Sequence, residues 1–123
     1  AMEADRKKQV MAMKIRVTAK NYRQEVLEAR IPVLVEFFAD WCGKCAMMED
    51  VVDLVAANCG GVLKVCQIEI EDSADLAEQF QVEIVPTFVI FKNGEPVSAA
   101  SGVLNRQVVL DMVMDEAGLE IQG

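Results

Sequence analysis

The sequence predicts an α/β domain in which strands alternate with helices before a terminal hairpin, in the order βαβαβαββα. Three observations carry that reading. Val33-Leu34-Val35-Glu36-Phe37-Phe38 is an almost unbroken apolar run, as expected of a central strand covered on both faces. Met47, Met48, Val51, Val52, Val55 and Ala56 then recur at helical spacing. Further on, Lys92-Asn93-Gly94-Glu95 separates two strand-forming runs, and Asn-Gly is among the strongest short-range hairpin signals.

The other elements follow in order. Residues 15–18 read as a short first strand, after which Asn21 is placed to cap a helix to Arg30 that Pro32 prevents from continuing. The helix after the apolar run is stopped by Gly60 and Gly61. Residues 62–70 are rich in β-branched side chains and form the next strand. A short helix over 73–80 follows, capped by Asp72 or Ser73. Residues 87–91 and 96–100 are the arms of the hairpin. Asn105 then caps a helix bearing Val108, Val109, Met112 and Val113, which Gly118 closes. The alternating half implies parallel strands with right-handed crossovers, and the hairpin adds antiparallel ones.

At 123 residues the chain is expected to form one domain over residues 13–120, with residues 1–12 a flexible tail or loose helix and 121–123 a C-terminal tail. It is 53% hydrophobic and 26% charged, with no apolar run near the ~18 residues of a membrane span. The formal net charge of −8 argues against nucleic acid or anionic membrane as partners, since both demand a basic surface. Arg6, Lys7 and Lys8 are not followed by the apolar core of a signal peptide, so the sequence as it stands reads as cytoplasmic. Ala1 is not a natural start, which leaves room for a targeting segment ahead of it.

The chemistry centres on Trp41-Cys42-Gly43-Lys44-Cys45, two thiols one helical turn apart just after the central strand. A lone Cys-x-x-Cys is also half of many zinc sites, but the chain has no His, and Cys59 and Cys66 make no second ligand pair. No metal and no cofactor is expected, and the dithiol reads as an electron-exchanging pair. Gly43 leaves the approach open.

With the elements in this order the chain resembles the thioredoxin family over about residues 15–119. The match rests on Trp-Cys-Gly-x-Cys after the second strand, Val85-Pro86-Thr87 before the fourth, and Phe91-Lys92-Asn93-Gly94-Glu95 followed by Gly102. The resemblance implies the thioredoxin fold, a five-stranded mixed sheet with helices on both faces, the dithiol at the start of the second helix and a cis Pro86 beside the sulfurs. At that helix start, unsatisfied N–H groups and the dipole favour the Cys42 thiolate, so Cys42 is the expected nucleophile, forming a mixed disulfide that Cys45, one turn further in, resolves. It makes Val85, Pro86, Thr87 and Gly102 a groove in which an extended substrate segment pairs with the backbone. A strand-edge proline is the plainer reading of Pro86.

Glu36 interrupts the buried run and matches the family's buried acid, so burial should raise its pKa and let it exchange a proton with Cys45 through water. Its alternative is a side chain turned to solvent. Gln67 stands where the family usually places a lysine, and loss of that cation is expected to raise Glu36 further. Trp41 is expected to pack across the site and shield it, or else to be a plain core aromatic. Lys44 replaces the family's proline and should favour the Cys42 thiolate, making the couple more oxidising, unless solvent screens it. Asp50 replaces a kinking proline, so the helix should run straighter.

The Met residues at 47, 48, 112 and 114 read as core filler, and the acidic residues at 69, 71, 72 and 75 as solvated surface rather than a calcium loop. Cys66 should be inert, with Cys59 exposed enough to oxidise. The function implied is reduction of protein disulfides by a monomeric oxidoreductase, recharged by a thioredoxin-reductase-type donor and acting on disulfide-containing clients. The alternatives are an oxidant or isomerase of raised potential, and a binding module without redox turnover.

Overall fold

The computed structural model describes residues 2–118 and, of residues 10–12, the backbone alone. The expected 121–123 tail lies outside the described residues. Residues 2–12 form a helix, α1 (Met2–Ala12), with Glu3 and Asp5 in its first turn, where acidic groups complement the helix dipole. The elements after it are β1 (Lys14–Arg16), a π-helical turn (Arg23–Leu27), β2 (Val33–Phe38), α2 (Gly43–Asn58), β3 (Lys64–Glu69), α3 (Ala74–Gln79), β4 (Thr87–Lys92), β5 (Glu95–Ser101) and α4 (Arg106–Ala117). The sheet runs β1-β3-β2-β4-β5. Strands β1, β3 and β2 are parallel, and the β4–β5 hairpin joins antiparallel to β2.

The strand expected over 62–70 is shortened to Lys64–Glu69, and the helix expected from Asn21 to Arg30 to five residues of π-helix. Asn21 does not cap it: its Oδ1 accepts from Thr18 N at 2.9 Å and its Nδ2 donates to Arg16 O at 3.1 Å. The side chain folds back on the preceding turn, as Asn side chains do when a local backbone partner competes with the helix. Ser73 occupies the N-cap position of α3, yet its hydroxyl caps nothing; the Ser73 carbonyl accepts from Leu76 and Ala77 instead. Asn105 does cap α4, its Oδ1 accepting from Gln107 N at 2.8 Å, and Gly118 ends that helix in the left-handed region. Asp50 sits within α2, which runs unbroken for 16 residues.

Side chains alternate across the sheet, and this sorts the core into two faces. Val33, Val35, Phe37, Cys66, Ile68 and Phe91 pack with Val17, Tyr22 and Val26 on one face. Leu34, Val65, Phe88 and Ile90 pack beneath Met48, Val52 and Val55 of α2 and Val109 and Val113 of α4 on the other. Glu36 and Gln67 are in phase with Leu34 and Val65, so they belong to the α2 face. Met47 is not core filler: it points away from this face and is 69% exposed.

The hairpin turns through Asn93 and Gly94, both at positive φ, 54° and 80°. A Cβ at Gly94 would meet the Leu27 carbonyl oxygen at 2.9 Å. Gly94→Ala is therefore expected to lower stability by about 1–2 kcal/mol or more in a denaturant titration, from left-handed strain plus that collision. An unchanged midpoint would contradict it.

Candidate active site

The N-terminus of α2 places both thiols. Cys42 is the N-cap residue, extended at φ −92° and ψ 108°, and its Sγ accepts from Cys45 N at 3.1 Å. This sulfur fills the position that an Asp or Ser oxygen usually takes at a helix start, where free N–H groups and the dipole stabilise negative charge. One turn on, Cys45 Sγ lies 2.6 Å from Cys42 Sγ, and both cysteines are free. Ala39, Phe38, Ile70 and Val85 cover the pair. Burial pushes the Cys45 thiol well up, and its hydrogen bond to Cys42 and the nearby Cys42 and Glu36 charges add to this against a hydrogen bond with Ala39.

The opposite wall comes from the loop before β4. The Val85–Pro86 peptide is cis, and Val85 O lies 3.8 Å from Cys42 Sγ. Gly102, at φ 88°, donates its N–H to Pro86 O at 2.7 Å, which ties the end of β5 to this loop. Thr87 is buried, with its hydroxyl donating to Ile84 O and lying 3.0 Å from Ser101 Oγ, so it braces the groove from within. Gly43 faces open space and Lys44 is exposed.

Glu36 does not turn to solvent. It is 3% exposed, and Gln67 Nε2 donates to its Oε1 at 2.8 Å. Burial drives its pKa from 4.5 to about 7, with Glu49 and Asp53 adding to the rise and the Gln67 hydrogen bond and Lys14 opposing it. A cleft of about 430 Å³ reaches from Glu36 to both sulfurs, lined also by Lys14, Arg16 and Gln67.

Two expectations are corrected around the rim. Trp41 is not a core aromatic: it is 67% exposed, and its indole N–H donates to Glu71 Oε1. The indole N–H needs an acceptor, and a rim carboxylate supplies one at the surface. Glu69 is not solvated surface but buried, accepting from the backbone N–H groups of Asp40, Glu71 and Asp72. Burial opposes its charge, yet those three donors and Arg16 outweigh it and leave the carboxyl below its ordinary range. Glu69 thereby joins the loop before Cys42 to the loop after β3.

Cys59 is buried rather than exposed, packed in the α2 face of the core, while Cys66 lies on the other face. Burial raises both thiols, Cys66 to about 12, so neither offers a thiolate at neutral pH. Among the described residues no group of three or more His, Cys, Asp and Glu side chains could hold a metal ion, and no helix is long and apolar enough to cross a membrane.

Comparison with known proteins agrees with this geometry. Residues 13–115 match the family model for thioredoxin. The thioredoxin of Rickettsia felis is 33% identical over 97 residues, 79% of this chain and 92% of that protein. Thioredoxin 1 of Synechococcus elongatus is 38% identical over 94 residues, 76% and 88% of the two chains. The thioredoxin of Pseudomonas aeruginosa is 38% identical over 92 residues, 75% and 85%. A solved mutant thioredoxin from Halobacterium salinarum superposes with a TM-score of 0.77 at 30% identity, covering 86% of this chain and 92% of its own. Thioredoxins in general act on disulfide clients and are themselves reduced by thioredoxin reductase. The chain belongs to the thioredoxin family and is a thiol–disulfide oxidoreductase that reduces protein disulfides.

Proposed function

We propose that residues 13–120 act as one catalytic unit in which Cys42 is the nucleophile, Cys45 the resolving thiol and Glu36 the proton acceptor. The observation that carries this is the Cys42 sulfur at the α2 N-terminus, bonded to Cys45 N and 2.6 Å from the second thiol. The Cys42 thiolate attacks one sulfur of a client disulfide; that S–S bond breaks, a Cys42–client bond forms, and the first client thiolate leaves and takes a proton from solvent. Cys45, held protonated by burial, gives its proton through water to Glu36, with which it shares the cleft. The Cys45 thiolate then attacks Cys42 Sγ and displaces the second client thiolate. The protein is left as a disulfide, two electrons short.

The Val85 carbonyl beside Cys42, with Pro86, Thr87 and Gly102 behind it, offers an edge along which an extended client segment pairs while its disulfide is attacked. Lys44 is exposed, so screening limits what it adds to the Cys42 thiolate, and the reductant reading is favoured over an oxidant of raised potential. Clients are disulfide-containing proteins, and the electron donor is a thioredoxin-reductase-type protein. The charge of −8 opposes self-association, so a monomer is assigned. The compartment is the cytoplasm, where the thiol pool keeps a disulfide reductant charged. The test is reduction of insulin disulfides by the full chain with dithiothreitol as donor. Catalysis above the donor-alone rate supports the reading, and a rate equal to donor alone overturns it in favour of a binding module.

A further inference from the structure

Two cations line the cleft, Lys14 and Arg16, and the reaction scheme assigns neither. Lys14 opens β1, an edge strand, and its side chain is only 7% exposed, a depth at which an ammonium persists only when paired. Its Nζ lies 2.6 Å from Asp53 Oδ1 and 3.6 Å from Glu49 Oε1. Cys45, Glu49 and Asp53 are spaced four residues apart, so they form one stripe of α2, over the sheet face on which Arg16, Gln67 and Glu36 share one register row and Lys14 stands in phase with Arg16, opposite Val65.

The charged and titratable groups around Glu36 can be taken element by element. From β1 come Lys14 and Arg16, but Arg16 is engaged elsewhere, 3.5 Å from Asp72 and stacked 4.9 Å from the Phe38 ring centre. From β3 comes Gln67, whose amide donates a hydrogen bond without charge. The β4 register partner of Glu36 is Phe88, which is apolar. From α2 come Cys42, Cys45, Glu49 and Asp53, and Asp40 of the preceding loop also lines the cleft. Among the described residues that line the Glu36 cleft, Lys14 is thus the positive charge left to offset Glu36; two other carboxylates compete for it, and these also line a second cleft with Arg6 and Lys7 of α1 and Arg106 of α4.

We infer that Lys14, shared with Asp53 and Glu49, is the cation that governs the ionisation of Glu36 and so acts as a positioning residue for the proton acceptor. Its consequence for turnover rests on the assignment of Glu36 proposed above. The opposing effects of Lys14 on one side and of Glu49 and Asp53 on the other upon Glu36 have the signs this arrangement requires.

The experiment is a carboxyl-carbon NMR titration of Glu36 in the full chain, wild type against Lys14→Met, Lys14→Arg and Asp53→Asn. Release of a client thiol from the Cys42 mixed disulfide is followed over the same pH range. Lys14→Met should move the Glu36 midpoint upward, raising its protonated-to-ionised ratio at pH 7 about threefold or more, the scale of one partly screened charge. Lys14→Arg should restore the wild-type midpoint. Asp53→Asn should move it downward, because it removes a negative charge and frees Lys14; should Lys14→Met fail to fold, Lys14→Gln takes its place with the same expected upward shift. An unchanged midpoint in Lys14→Met, or shifts of the same sign in Lys14→Met and Asp53→Asn, overturns the inference. Midpoints that move as stated while the pH dependence of thiol release stays fixed would uphold the role of Lys14 and refute that of Glu36 as acceptor.

Discussion

Cys42→Ser is expected to cut insulin reduction by roughly 10³-fold or more, while Cys45→Ser is expected to stop after a single half-turnover with the client covalently attached. The two variants differ because the thiols have different tasks. Cys42 Sγ receives the Cys45 N–H at the helix start and faces the Val85 carbonyl, where an extended client can lie. A serine hydroxyl there is far too weak an acid to supply an anionic nucleophile at neutral pH. Cys45 is buried and kept protonated, so its removal leaves the first attack intact and eliminates the second. Non-reducing electrophoresis with peptide mapping checks both. A mixed disulfide through Cys42 in Cys45→Ser is the expected outcome, and an adduct in Cys42→Ser of similar yield would contradict the assignment.

Glu36→Gln is expected to stabilise the reduced protein by about 3 kcal/mol at pH 8 and by little at pH 5. Folding raises the Glu36 pKa from 4.5 to about 7, chiefly by burial. Below 4.5 both folded and unfolded chains hold the proton and the group contributes nothing. Between 4.5 and 7 only the unfolded chain ionises, so each rise in pH favours unfolding by about 1.4 kcal/mol per unit. Above 7 the loss is complete. Glutamine stays neutral, keeps an oxygen to accept from Gln67 and escapes the loss. The same variant lacks the carboxylate that receives the Cys45 proton, so turnover should fall by on the order of tenfold to a hundredfold while stability rises. Denaturant titrations at the two pH values and a rate measurement check this. A stability difference independent of pH would show that Glu36 ionises as an ordinary carboxylate.

How far the sequence reveals the molecule depends on whether a residue answers to its neighbours in the chain or to distant ones. Val33–Phe38 is legible because a strand buried on both faces needs continuous apolarity, and Asn93-Gly94 because both turn residues need positive φ. The break of that apolar run at Glu36 is legible for the same reason, and the expectation of its burial rests on that run and on the match to the family's buried acid. Asn21 misled, since a helix cap and a backward turn call for the same residue and tertiary contacts chose between them. Trp41 and Glu71 are 30 positions apart, and nothing local tells an exposed indole from a packed one. Glu69 looked like one acid among several. Only its register opposite Phe38, with three backbone donors converging on it, marks it as a clamp on the loop before Cys42. Lys14 was invisible for a related reason, because its partners lie on α2, a helix that β1 meets only in the folded chain.

The central claim, a two-electron cycle confined to Cys42 and Cys45, is tested most directly by a redox titration read at each cysteine. The protein is equilibrated across a dithiothreitol series, its free thiols are trapped with a mass label, and the four cysteines are quantified separately. The account predicts that Cys42 and Cys45 lose the label together in one two-electron transition near the thioredoxin value of about −270 mV, with Cys59 and Cys66 labelled throughout after unfolding. A transition that includes Cys59 or Cys66, or a Cys42/Cys45 pair whose midpoint lies above about −200 mV, would contradict it.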